Sequence, residues 1–464
     1  MAEAVIALNR FGLGARPDDA VPAEPRRWLT DQFGRFAPGL AGAPHSAAVA
    51  ADLARYRDDI RVARAAAGDA AKTDAGQQVR RVARAQADDH YGAAVAARTG
   101  AALTSPAPFV ERLVHFWANH FAVSADKLEV IGLAGTLEFE AIRPHVLGRF
   151  ADMLGAVERH PAMLLYLDQA QSVGPTSPIG ARVAARGQRK IGLNENLARE
   201  IMELHTLGVR SVYRQADVTE FARAMTGWTV AGLGAGPAAR LSDGVAGNFL
   251  FVPALHEPGD RTILGKRYPA GGEAQAQAVL ADLASHPATA RHLATKLARH
   301  FAGDTPPPTM IARLEQAYVR SGGDLPTVYR AIVASPEAWA PAAAKFRPPW
   351  EWSVAALRAM GYRETPAGAM VGLLQQLGQP TWRPGSPAGY DDIAASWAGP
   401  DALLRRVEAA ERLASRATLI DARRLGQMLF PGGLSSGTTQ AVARADSPGQ
   451  ALALLLVSPD MMRR

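Results

Sequence analysis

Residues 192–228 read GLNENLAREIMELHTLGVRSVYRQADVTEFARAMTGW, and their apolar residues recur at helical rather than strand spacing. On a helical wheel Leu193, Leu197, Ile201 and Leu204 form one stripe. Glu195, Asn196, Arg199, Glu200, Glu203 and Thr206 share the opposite side, with His205 and Asn194 on a third flank. Asn194 is placed to cap the N-terminus, Glu195 suits the dipole of the first turn, and Gly208 stands where a helix ends in a left-handed residue. Asp217 then opens a second helix, with Glu220 three residues on in capping-box register and Val218, Phe221, Ala222 and Met225 as its apolar stripe. The stretch predicts helix, short turn, helix.

The segment PFVERLVHFWANHF (108–121) is apolar nearly all round, which predicts a helix buried on every side. Its one polar stripe is Glu111, His115 and Asn119 at i, i+4, i+8. His120 falls instead among Phe109, Leu113 and Trp117, where burial requires a hydrogen-bond partner. Two long Ala- and Arg-rich amphipathic helices are expected between residues 47 and 102. The only strand-like residues lie in NFLFVPALHEPGDRTILG, where Phe249 and Phe251 are expected to pair with Thr262–Leu264 across a turn carrying His256 and Glu257. The fold expected is all-α, a bundle-like array of many helices with one small β-hairpin near 249–265. Three regions are drawn at 1–105, 106–340 and 341–464, the last holding an aromatic Pro/Gly loop whose Trp382, Tyr390 and Trp397 should pack on the body and wall a cleft.

At 464 residues, 48% of them hydrophobic and 20% charged, the chain can bury a large core. The net charge of +7 is scattered as arginines, with no basic run and no basic patch interleaved with aromatics, so nucleic acid is not an expected partner. The absence of cysteine removes disulfides, thiolate nucleophiles and Cys-type metal sites, leaving His and carboxylates as the strong ligands. No stretch of 18 uncharged apolar residues and no export leader is visible. The expectation is a cytoplasmic protein as written, periplasmic or exported if a leader has been removed. The basic stretch ending in Arg186, Arg189 and Lys190 reads equally as an anion-holding loop at a helix N-terminus and as a surface loop.

LNRFGLGARP near the start, FWANHF at 116–121, HPAMLLYLD at 160–168, NENLAREIMELHTLGV at 194–209, KFRPPWEW at 345–352 and LGQPTWRPGSPAGY at 377–390 together resemble a large bacterial family, the domain of unknown function eighteen-hundred. The resemblance runs in order through nearly the whole chain. It implies a mostly helical fold and, since many members are exported and encoded beside sulfatase-like proteins, a sulfatase-like partner. It carries no activity. It also implies that the recurring polar positions are Asn119, His120, Asn194, Glu195, Arg199, Glu200, Glu203, Asp217, Arg223, Thr226, His256 and Lys345.

Charges that merely coat a helix need not keep identity and spacing, so this pattern turns the 194–205 face into a candidate site. The leading expectation is hydrolase-like acid/base chemistry on a polar substrate, glycan or anionic. Glu200 and Glu203 serve as acid/base or ligand groups, Arg199 as the anion or orientation group and His120 as a partner from another segment. Asn119, Asn196, Asp217, Arg223, His256, Lys345 and Trp382 are the expected substrate-binding residues. The cofactor is either none or a divalent metal held by carboxylate and His. HExxH, P-loop and GxGxxG signatures and the Glu-x-x-His pair of helical di-metal sites are absent. The alternatives are a non-catalytic helical scaffold, with the polar set as an ion-pair network, and a carboxylate/His metal-dependent oxidoreductase.

Overall fold

In the computed structural model, which describes residues 2–67, 74–185, 192–234, 239, 241–417 and 419–464, the chain is mainly helical. The basic stretch Arg186, Arg189 and Lys190 lies outside the described residues. Seven helices and four strands position the site. They are α1 (Ser46–Ala67), α2 (Asp74–Thr104), α3 (Pro108–His120), α4 (Asn196–Glu200, running on as a π turn Ile201–His205), α5 (Gln215–Met225), α6 (Pro287–Ala302) and α7 (Pro349–Ala359). The strands are β1 (Trp228–Val230), β2 (Phe249–Phe251), β3 (Arg261–Ile263) and β4 (Lys266–Tyr268).

Helix α3 is the axis of the core, as its all-round apolarity requires. Phe109, Leu113 and Trp117 are fully buried, each contributing about 2–3 kcal/mol of apolar burial. Its ends and polar atoms are satisfied from far away in the chain. The Gln32 Oε1 accepts from the Phe109 N–H at 2.8 Å, and the Trp117 indole donates to the Tyr329 hydroxyl at 2.7 Å. The Glu111 carboxylate takes a two-pronged contact from Arg143 at 2.6 and 2.9 Å, both groups being buried. One apolar cluster extends from Ile6 to Met462 and draws on all three regions of the chain. Among the described residues no helix is long and apolar enough to cross a membrane.

The small β structure differs from the pairing expected. Phe249–Phe251 pairs antiparallel with Trp228–Val230, and Arg261–Ile263 pairs with Lys266–Tyr268. The second is a two-residue hairpin in which Leu264 and Gly265 both have positive φ, 51° and 76°, the backbone twist that tight hairpins favour. Pro258-Gly259 therefore turns the chain between two sheets rather than within one.

Two details of the 194–225 stretch are also corrected. Asp217 sits inside helix α5, which starts at Gln215. Its carboxylate accepts from the Arg214 N–H at 2.7 Å and the Leu264 N–H at 2.7 Å, while Glu220 pairs with Arg223 and Arg261. The π turn after Glu200 rotates the last residues of α4, so Met202 and His205 enter the core and Leu204 is only half-buried. A wheel drawn at 100° per residue cannot anticipate this, because the wider turn accommodates an extra residue.

Candidate functional site

A cavity of about 320 Å³ opens between α3, α6, α7 and the loop 379–392, at the lower end of the size usual for small-molecule sites. Asn119 and His120 come from the end of α3, His292, Lys296, Arg299 and His300 from α6, and Glu351 from α7. Trp350, Trp382 and Tyr390 supply aromatic wall.

The imidazoles are fixed by what they touch. His120 Nε2 lies 3.1 Å from the His205 carbonyl oxygen and His292 Nε2 lies 3.1 Å from that of Leu204. A carbonyl only accepts, so both rings carry their proton on Nε2. These carbonyls end the π turn of α4, where the last oxygens of a helix have no partner within it. His120 Nδ1 is then a lone pair, and the Lys296 ammonium donates to it at 2.9 Å. Burial, reinforced by the Lys296 charge, holds His120 well below the usual imidazole range and His292 down to about 4. On the far side the Trp350 indole donates to His115 Nδ1 at 3.2 Å, leaving the His115 Nε2–H buried without a partner.

Lys296 is the group that burial has most altered. Desolvation lowers its ammonium to about 8; Asp392 opposes the shift and Arg299 adds to it. Neither Lys296 nor Arg299 makes an ion pair among the described residues, and Arg299 Nε is buried with no acceptor.

The cavity's other charges are spoken for. Glu351 Oε1 lies 2.8 Å from Arg112 and 3.0 Å from Arg464, and its Oε2 lies 2.6 Å from Arg464. Burial alone would raise that carboxyl, but the two guanidinium groups outweigh it and hold it well below the carboxylate range. Asp392 is 2.9 Å from His300 Nδ1 and 3.0 Å from Lys345 Nζ; these cations likewise overcome its burial and keep it ionised. Arg98 pairs with Glu138 at 3.1 Å and lies over the Trp350 and Trp382 rings, 4.3 and 5.2 Å from their centroids.

The wall 379–392 is pinned to the body of the protein. The Asn119 side-chain amide exchanges two 2.8 Å hydrogen bonds with the Tyr390 backbone, and the Trp382 carbonyl accepts from Ala125 at 2.8 Å. Trp382 adopts φ 49°, a strained value for an aromatic residue.

A family model matches residues 6–463 of the chain. The chain belongs to the family described as protein of unknown function DUF1800. No curated protein and no solved structure matches it.

In this DUF1800 protein the cavity brings together three of the residues singled out from sequence, Asn119, His120 and Trp382. Lys345 stands behind the wall, buried, bonded to Asp304 at 3.0 Å and to Asp392. Arg199, Glu200, Glu203, Asn196, Asp217, Arg223 and His256 do not line the cavity. Arg199 spans Glu195 at 3.2 Å and Glu203 at 3.3 Å along the exposed flank of α4, and Glu195 is tied to Gln215 and Thr219 of α5. Glu200 is half-buried, with its carboxyl raised by burial. Asn196 is exposed, and the Asn194 side chain accepts from its N–H at 2.9 Å. His256 Nδ1 is bonded to the Thr226 carbonyl at 3.0 Å beside Phe251.

Two serine patterns prove local. Ser435 of GLSSG (433–437) caps a short helix and bonds Asp460 at 2.8 Å. Ser124 of SADK (124–127) bonds Asp126, while Lys127 turns to Asp168 at 2.8 Å. Among the described residues no three His or carboxylate side chains gather as a metal would need. Sequence reasoning passed over α6. Its signal was the stripe His292, Lys296, His300 at i, i+4, i+8, one face of a single helix.

Proposed function

We propose that the protein is an enzyme performing acid/base chemistry on a small anionic substrate in this cavity, with Lys296 as the proton-transfer group and His120 as the residue that positions it. One observation carries the reading: a half-buried lysine with no carboxylate partner donates to a neutral imidazole, beside an arginine that also lacks one. A desolvated ammonium without a counter-charge gives up its proton near neutral pH, the range in which acid/base groups work best. A bound anion would supply the missing charge through Lys296 and Arg299 and accept from the His115 Nε2–H. The Trp350 and Trp382 rings suit a substrate with a flat or sugar-like body. On this reading the proton transfer expected of Glu200 and Glu203 moves to α6, and the Glu195–Arg199–Glu203 ladder ties α4 to α5.

Titration calorimetry of the full chain with small anions such as phosphate, acetate and glycolate tests it. Binding should appear in the wild type and fall at least about tenfold in Lys296→Met/Arg299→Gln, the loss expected for one charge-assisted contact. Undiminished binding in the double variant, or none in the wild type, overturns the proposal.

A further inference from the structure

The chain has six lysines among 51 basic residues, so arginine is its ordinary cation. Four of the six are described. Lys127 pairs with Asp168, Lys266 with Asp282 and Lys345 with Asp304 and Asp392, whereas Lys296 pairs with no carboxylate. The one lysine facing the cavity is thus also the one left without a counter-charge. Arginine at this position would bind an anion at least as well, and in two prongs. What lysine offers and arginine does not is a neutral amine.

We infer that Lys296 is a nucleophile that forms an imine with an anionic aldehyde or ketone, the substrate's carboxylate or phosphate lying against Arg299. This rests on the reading of the cavity as an anion site and adds the substrate's reacting group to it. The groups facing the amine are His120 on α3, His292 and Arg299 on α6 and Asp392 on the loop wall. Desolvation beside another cation is the established way to make a lysine nucleophilic at neutral pH. The hydrogen bond between Lys296 Nζ and His120 Nδ1 holds the nitrogen at the cavity surface. In the step itself the Nζ lone pair adds to the carbonyl carbon as the C=O π pair moves to oxygen, which takes up a proton. The carbinolamine then loses water as the C–O bond breaks, the C=N bond forms and the N–H proton leaves to solvent. Amine and carbonyl give imine and water, with no oxidant or reductant.

The test uses the wild-type chain with glyoxylate, trapped by borohydride as carboxymethyl-lysine and mapped by peptide mass spectrometry. At pH 7 an amine near pKa 8 is neutral about two hundred times more often than an ordinary lysine. Its lower basicity returns about tenfold of that in nucleophilicity. Lys296 should therefore be modified about tenfold faster than exposed Lys266, with a rate that rises through pH 8 and is slowed by glycolate at Lys296 alone. Glycolate binding measured by calorimetry on the same sample separates the two proposals. If glycolate binds and Lys296 reacts no faster than Lys266, the imine is refuted and the anion site stands. If glycolate does not bind and Lys296 is not modified, both fall.

Discussion

Replacing Lys296 by methionine should make the protein more stable at neutral pH, although it removes the centre of the proposed chemistry. The amine is held at about 8 against an ordinary 10.5. A tenfold change in proton affinity is worth about 1.4 kcal/mol, so keeping this group charged inside the fold costs about 3 kcal/mol. Because Lys296 retains part of its surface in water, about 2 kcal/mol is the better figure. Losing the hydrogen bond to His120 returns about 1 kcal/mol, leaving a net gain of about 1 kcal/mol. A chain of 464 residues unfolds with an entropy of about 1 kcal/mol per kelvin, so Tm should rise by about 1 °C. The pH dependence is the sharper signature. The folded-state value lies below the unfolded one, so between pH 8 and 10.5 the unfolded chain binds more protons and wild-type stability rises with pH. The advantage of the methionine variant should be full below pH 8 and mostly gone by pH 10. Calorimetry at pH 7 and 10 on wild type, Lys296→Met and Lys296→Arg reads it, the arginine variant keeping its charge throughout. A methionine variant that melts below wild type at pH 7, or whose offset is the same at both pH values, would refute the electrostatic account of the site.

Glu351→Gln should behave oppositely, since it sets an amide donor against two buried guanidinium groups. The cost of breaking such a pair is about 3–5 kcal/mol, a fall in Tm of about 3–5 °C, and a shift under a degree would show that the Arg112–Glu351–Arg464 triad is dispensable. Glu203→Gln removes one end of an exposed i,i+4 pair worth under about 1 kcal/mol. Its melting temperature and anion binding should match wild type, and lost binding would return α4 to the centre of the site.

Much of the scaffold was legible because it is written in local periodicity. The all-round apolarity of α3 announces burial, and the Pro/Gly aromatic run announces a loop that must pack on something. Asn119 and His120 stood out because polar atoms inside an apolar helix need partners. The remainder depends on tertiary partners that no spacing reveals. His205 meets Glu158 at 2.8 Å, both wholly buried and 47 residues apart. The charges of α4, which read as a site, find one another and α5. Those of α6 looked like an ordinary basic helix, and only the folded chain shows that Lys296 has no carboxylate to meet.

The π turn Ile201–His205 has a genetic consequence. Such a turn is what a helix becomes when it carries one residue more than its ladder of hydrogen bonds can count. Deleting a single codon there should let the turn rewind, swinging everything downstream by about 100°. The Leu204 and His205 carbonyls would then leave His292 and His120, whose protons could migrate to the other nitrogen. In His120 that would set an N–H against the Lys296 ammonium where a lone pair now stands. The placement of protons in the cavity thus depends on the length of a helix that contributes no side chain to its wall.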